Sequence, residues 1–251
     1  MSGQVQLALQ GALAFVTLSH PGKFNAMSRL MWRQLREVFE DLQQRQDLRV
    51  VLLRGEAGHF CAGGDISEYP GFRFDAASLR EFHENDVWGG LNAVLDCDIT
   101  VLAQINGNCM GAGMELASCC DLRLAGRSAR FGAPIAKLGF PMAPREAALV
   151  ARVAGEVTAR EMLLAAAVLD APTLAQRGFL NRICEDDALE AEALAAAWAM
   201  SLLAPQAARQ NKQTLRHLAT VQVPADAYAY ADTAEHREGV TAFMEKRQPR
   251  F

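Results

Sequence analysis

Two runs of the chain, Val50-Val51-Leu52-Leu53 and Ile99-Thr100-Val101-Leu102-Ala103-Gln104-Ile105, are apolar on both faces instead of alternately. A strand with that pattern must be covered on both sides, which places it inside a layered α/β core. After each run comes a Gly-rich stretch that opens onto a helical pattern. The first is Phe60-Cys61-Ala62-Gly63-Gly64-Asp65-Ile66, the second Asn106-Gly107-Asn108-Cys109-Met110-Gly111-Ala112-Gly113-Met114-Glu115-Leu116. Small residues at a strand-to-helix turn leave backbone N–H groups uncovered, and the helix dipole adds positive potential there. Two such turns side by side make an oxyanion hole, in which loss of one donor typically costs about 10²–10³ in rate. Taken singly, either turn is also what tight packing requires, and neither has the G-x-G-x-x-G spacing of a dinucleotide site.

The remaining pattern agrees with an α/β chain. Two short strands flank Gly11, and Ser28 stands as N-cap before Leu30, Met31, Leu35, Val38, Phe39 and Leu42 at helical spacing. Leu122-Arg123-Leu124-Ala125 reads as a third core strand, and helices are expected at 145–153, 159–167, 185–203 and from 228 towards Pro249. Residues 66–95 are rich in charge and aromatic rings with weak periodicity, which fits a lid. Strand–helix alternation gives way near residue 185 to helices only, so one large core with a helical appendage is expected for 251 residues.

Lys plus Arg is 25 and Asp plus Glu is 29, a net charge of −4 with no basic block. That argues against nucleic acid, which needs a positive stripe to displace counterions. The N-terminus has no basic-then-apolar leader and no 18-residue apolar run occurs, so a cytoplasmic protein without a membrane span is expected. Six cysteines lie without C-x-x-C spacing, and buried reduced thiols are expected. No metal site is read from them.

Taken together and in order, these segments resemble the crotonase superfamily, the enoyl-CoA hydratase/isomerase family. The resemblance runs from Val16-Thr17-Leu18-Ser19-His20-Pro21 and Lys23-Phe24-Asn25-Ala26 through both Gly-rich turns and Cys120-Asp121-Leu122-Arg123. It continues at Phe131-Gly132-Ala133-Pro134 and closes with Glu238-Gly239-Val240-Thr241-Ala242-Phe243-Met244-Glu245-Lys246-Arg247. It implies a spiral of ββα units over residues 1–185, a C-terminal α-helical trimerisation region over 186–251, and a homotrimer or homohexamer. It also implies an acyl-CoA substrate, with no metal or redox cofactor beyond the coenzyme A of that substrate. Carried over by position, the thioester oxygen would sit between the N–H groups of Gly64 and Ala112, the latter usually glycine in the family. Main-chain groups of Ala62, Asp65 and Ile66 would hold the adenine, and Lys23 and Phe24 would line the CoA entrance. Ala26, Gly63, Gly111 and Pro134 complete the binding positions, and Phe243 and Lys246 match tail residues that meet the nucleotide end.

Family hydratases use two glutamates, one activating water and one delivering the α-proton. Glu115 matches the first. The second would follow Pro134, where this chain has Ile135, which transfers no proton. One acid facing an enolate-stabilising hole suits double-bond isomerisation, or activation of water against a thioester; a buried structural carboxylate is the plainer alternative for Glu115. Replacements for the missing acid are sought among His83, Glu84, Asp86 and Glu146, while His20, His217 and His236 have no evident partner. Hydration or isomerisation of an enoyl-CoA, a lyase or isomerase reaction of the kind found in fatty-acid metabolism, ranks first, before decarboxylation or hydrolysis. Two rivals differ in class. Gly107-Asn108-Cys109-Met110-Gly111 fits a thiol nucleophile elbow, and loss of the second acid fits a CoA-binding protein without turnover.

Overall fold

A computed structural model of the chain describes residues 2–216 and 233–251, apart from the side chain of Phe243. The main sheet has six strands in the order β1 (Gln4–Gln10), β2 (Leu13–Ser19), β3 (Val50–Gly55), β4 (Thr100–Ile105), β6 (Leu122–Gly126) and β9 (Arg182–Cys184). The first pair is antiparallel, the hairpin turning at Gly11, and every later pair is parallel. A second sheet of three-residue strands joins β5 (Asn108–Met110), β7 (Arg130–Gly132) and β8 (Val168–Asp170).

Alternation along the parallel strands explains their double-sided apolar pattern. Val51 and Leu53 join Ala14, Val16 and Leu18 in the larger core, with Met31, Trp32, Leu35, Phe39 and Leu42 of α1 (Arg29–Gln44). Val50 and Leu52 turn to the other face and, with Leu13, Phe15, Leu102 and Leu124, cover Leu189, Ala193 and Ala197 of α8 (Leu189–Ser201). The expected cap at Ser28 is present: its Oγ accepts from Met31 N at 3.2 Å. All six cysteines are buried and unpaired.

Residues 66–96 are helical except for a turn at 72–75, and their pitch changes along the way. A 3₁₀ segment (Ile66–Gly71), α2 (Ala76–Glu81), a π-helical turn (Phe82–Val87) and α3 (Trp88–Asp96) follow one another. No single period runs through such a segment, which is why the sequence pattern is weak there. The expected helix at 185–203 begins only at Leu189, after a turn, and that at 159–167 lies earlier, at α6 (Glu156–Leu164). The helix expected at 145–153 is α5 (Pro144–Ala154). After it come α7 (Ala171–Gln176), α9 (Pro205–Arg216) and α10 (Ala234–Met244). His217 and residues 228–232 of the expected tail helix lie outside the described residues. No helix among the described residues is long and apolar enough to cross a membrane.

Candidate active site

The two Gly-rich turns are sewn to each other. Cys61 N donates to Asn108 O at 2.9 Å, and Met110 N to Cys61 O at 2.9 Å. Gly63 (φ +115°) and Gly111 (φ +48°) both take the backbone region that L side chains avoid. A Cβ on Gly111 would lie 3.6 Å from Gly63 Cα, so the turns also touch. Gly111 is followed by α4 (Ala112–Cys119), whose first residue therefore stands against the first turn. Among the described residues, neither Gly64 N–H nor Ala112 N–H donates a hydrogen bond within the chain. Orphan donors are expected at a helix start, but Gly64 precedes its own short helix by two residues, so its freedom is a property of the turn.

A third segment closes the seam. Met27 N donates to Gly63 O at 2.8 Å, Asp65 N to Met27 O at 2.8 Å, and Ala62 N to Phe24 O at 3.0 Å. Asn25 locks this loop, its Nδ2 donating to the carbonyls of Glu56 and His59 at 2.8 and 2.7 Å. Lys23 Nζ donates to Asp65 Oδ2 at 2.6 Å and to Ser67 Oγ at 2.8 Å. Burial alone would push the Asp65 carboxyl up; the Lys23 and Ser67 hydrogen bonds outweigh it and hold the group below its ordinary value. Phe24 is exposed and meets His59 edge-on at 4.6 Å between ring centres.

Gly63, Gly64, Ile66, Ala62, Gly111, Ala112, Glu115 and Pro134 all border one cavity of about 330 Å³. Glu115 is its one carboxylate among the described residues, and the residue is only 9% exposed. Burial first, and then the charge of Glu146, push its carboxyl up to about 8 from an ordinary 4.5. Ile135 also stands in the cavity wall, so an aliphatic side chain occupies the place where a second acid was sought.

Of the four replacements considered, two come together here. His83, from the π-helical turn, borders the cavity, and its Nδ1 lies 3.1 Å from Oε1 of Glu146, which is 2% exposed on α5. The other two pair elsewhere: Glu84 with Arg145 at 3.0 Å, and Asp86 with Arg29 and Arg33 at 2.7 and 2.8 Å. His20 is buried, with Nδ1 2.7 Å from Ala26 O. Cys109 is fully buried, borders no cavity wall here, and burial pushes its thiol well above the ordinary value, which opposes a thiolate nucleophile. Phe243 lies in α10, and Lys246, just after it, is not among the residues that border the cavity.

Residues of the expected lid and of the stretch 139–144 also line the cavity. Tyr69 borders the cavity, and its hydroxyl lies so close over Gly64 that a methyl group there would collide with it. Arg73, Phe140 and Met142 complete the wall, brought together from segments about seventy residues apart, a proximity with no local signature.

The family model for enoyl-CoA hydratase/isomerase matches residues 8–251. A 2,3-dehydroadipyl-CoA hydratase of Escherichia coli is 29% identical over 249 residues, 96% of each chain. A probable enoyl-CoA hydratase of Mycobacterium tuberculosis is 29% identical over 247 residues, 95% of this chain and 94% of that one. Among solved structures, an enoyl-CoA hydratase/carnithine racemase from Magnetospirillum magneticum is 38% identical. It superposes with a TM-score of 0.94 over 98% of this chain and 94% of its own. With this match over nearly its whole length, the chain belongs to the enoyl-CoA hydratase/isomerase family.

Proposed function

We propose that this protein forms and protonates the enolate of an acyl-CoA thioester, in the hydration or double-bond isomerisation of an enoyl-CoA. The observation that carries this reading is the convergence of Glu115 with the unpartnered amides of Gly64 and Ala112 on one cavity. A thioester oxygen between those two donors gains negative charge as the α-carbon loses or awaits its proton. Fixed dipoles in a water-poor cavity stabilise that charge far better than solvent does. The donor at Ala112 is backbone, so its methyl group leaves the hydrogen bond intact. A carboxyl near 8 is matched to proton transfer at neutral pH, because both of its forms are accessible.

Isomerisation asks one base to carry a proton from C2 to C4, and Ile135 in the wall favours this one-acid chemistry. Hydration asks for a second proton-transferring group, and His83, which borders the same cavity and pairs with Glu146, would supply one. Decarboxylation or hydrolysis of a thioester would use the same hole with one acid. All of these reactions are redox-neutral and call for no cofactor beyond the coenzyme A of the substrate.

Lys23, Phe24, Ala26, Ala62, Asp65 and Ile66 would hold the nucleotide, with Phe243 and Lys246 from the tail. Because Ala62 N–H is taken by Phe24, its contact with an adenine amino group would be made through its carbonyl. Leu202, Leu203, Leu215 and Val240 expose apolar surface on the C-terminal helices, which supports a homotrimer or homohexamer joined through residues 186–251, with residues 1–185 as the catalytic core. A cytoplasmic setting belongs to the same reading.

Incubation with crotonyl-CoA and with 3-hexenoyl-CoA, followed by mass spectrometry and NMR of the products, tests this. Addition of one water to crotonyl-CoA, or migration of the hexenoyl double bond, is expected. Free CoA or loss of carbon dioxide from suitable acyl groups would move the assignment to hydrolysis or decarboxylation. CoA-ester binding with no turnover of any of them would overturn it.

A further inference from the structure

Among the described residues, Arg73 is the one arginine that borders this cavity. Arg29 and Arg33 bond Asp86, and Arg145 bonds Glu84. Arg73 borders the cavity, yet its guanidinium meets no carboxylate and donates no hydrogen bond among the described residues. It lies instead over two rings, with its central carbon 3.6 Å from the centre of Phe140 and 4.5 Å from that of Tyr69. Burial draws its charge below the ordinary value, as expected where water is displaced without a counter-charge. Lys137 borders the cavity as a second cation, and Glu115 is the one carboxylate there among the described residues. The cavity as a whole is therefore an apolar space with excess positive charge and five unused donors at one end.

We infer that the site takes acyl-CoA esters whose acyl chain ends in a carboxylate, and that Arg73 holds that carboxylate. The inference rests on the proposed acyl-CoA reading and specifies its substrate class. The planar fork of a guanidinium fits a carboxylate through two parallel hydrogen bonds, and its stacking on Phe140 and Tyr69 fixes the plane of that fork. Tyr69 bridges the two ends of the site: one face meets Arg73, while its hydroxyl lies against Gly64, where the thioester oxygen would bind. An acyl chain starting at Gly64 and running past the tyrosine ring thus reaches the guanidinium with its far end. The phosphates of coenzyme A are the other source of anionic oxygen. The residues at the proposed nucleotide entrance, Lys23 and Asp65, bond each other across the seam instead of opening onto Arg73.

The test uses binding of saturated esters, which needs no turnover and so survives failure of the proposed reaction. Adipyl-CoA and hexanoyl-CoA have six carbons each and differ in the terminal carboxylate; their dissociation constants are measured by calorimetry on the intact protein. Adipyl-CoA is expected to bind roughly 10–100 times more tightly, the range of a charge-assisted, two-pronged hydrogen bond. In R73M, which keeps the apolar stem between the rings, that ratio is expected to collapse towards one, and R73K is expected to restore part of it. The inference is overturned if the wild-type ratio is near one. It is also overturned if R73M weakens both esters equally, which would assign Arg73 to the phosphates. Removing the nucleotide end, by comparing adipyl- and hexanoyl-pantetheine, separates the two sources: the preference must persist in the short esters.

Discussion

His83 Nδ1 lies 3.1 Å from Oε1 of Glu146, and the charge of that buried carboxylate in turn acts on Glu115. Three titratable groups from three elements thereby influence one cavity, although only Glu115 and His83 border it. Position 135, where the resemblance implies a second acid, holds an isoleucine in the cavity wall. Electrostatic coupling between Glu115 and Glu146 makes the Glu115 carboxyl tunable from a residue outside the cavity wall.

Glu115→Gln is expected to lower kcat by about 10² or more while leaving KM within a few-fold, as for removal of a general acid–base group that binds ground state and product weakly. Steady-state kinetics on the substrate that the wild type turns over checks this. Unchanged turnover would make Glu115 a structural carboxylate.

The same substitution has a signed effect on stability. A carboxyl at about 8 in the folded protein and near 4.5 when unfolded binds its proton more tightly in the folded state. Its contribution is therefore complete below pH 4.5 and lost as pH rises through 8. Glu115→Gln lacks that loss, so its advantage over the wild type should grow across this range to on the order of 5 kcal/mol, or roughly 10–20 °C in Tm. Thermal unfolding at pH 5 and pH 9 reads the difference; a constant offset would refute the raised carboxyl.

Glu146→Gln keeps a hydrogen-bonding partner for His83 but removes a like charge from the vicinity of Glu115. The midpoint of the pH profile of kcat/KM is expected to move towards acid by up to about one pH unit. A midpoint that stays in place, with kcat reduced, would show instead that Glu146 acts through His83 alone.

Gly113→Ala tests the seam between the two turns. A Cβ there would lie 2.6 Å from Cys61 O and 3.2 Å from Cys61 Cβ, forcing α4 away from the first turn. Overpacking of this kind costs about 1–3 kcal/mol. Turnover should fall further than stability alone explains, because the shift carries Ala112 N–H with it. Chemical denaturation and kcat measured together separate the two effects.

What could be read in the sequence follows from which constraints are local. The double-sided runs at β3 and β4, the Ser28 cap and the paired Gly-rich turns each have a chain-local signature, and the resemblance linked them. The three-residue strands β5, β7, β8 and β9 have none, since they exist through pairings such as Cys109 with Phe131 and Leu124 with Arg182. Residues 66–96 hide their helices because the pitch changes from 3₁₀ to α to π. In the sequence Arg73 is like any other arginine: only its placement against Tyr69 and Phe140, with no acid paired to it among the described residues, sets it apart.

The most direct measurement is exchange of the α-protons of butyryl-CoA in D₂O, followed by NMR with wild type and Glu115→Gln. Butyryl-CoA has no double bond to hydrate or shift, so exchange reports enolate formation alone. The wild type is expected to deuterate the α-carbon at a rate that rises with pH through about 8, and the variant to lose at least about 10² of that rate. Wild-type protein that binds butyryl-CoA yet leaves its α-protons in place, or exchange undiminished in the variant, would contradict enolate chemistry at Glu115.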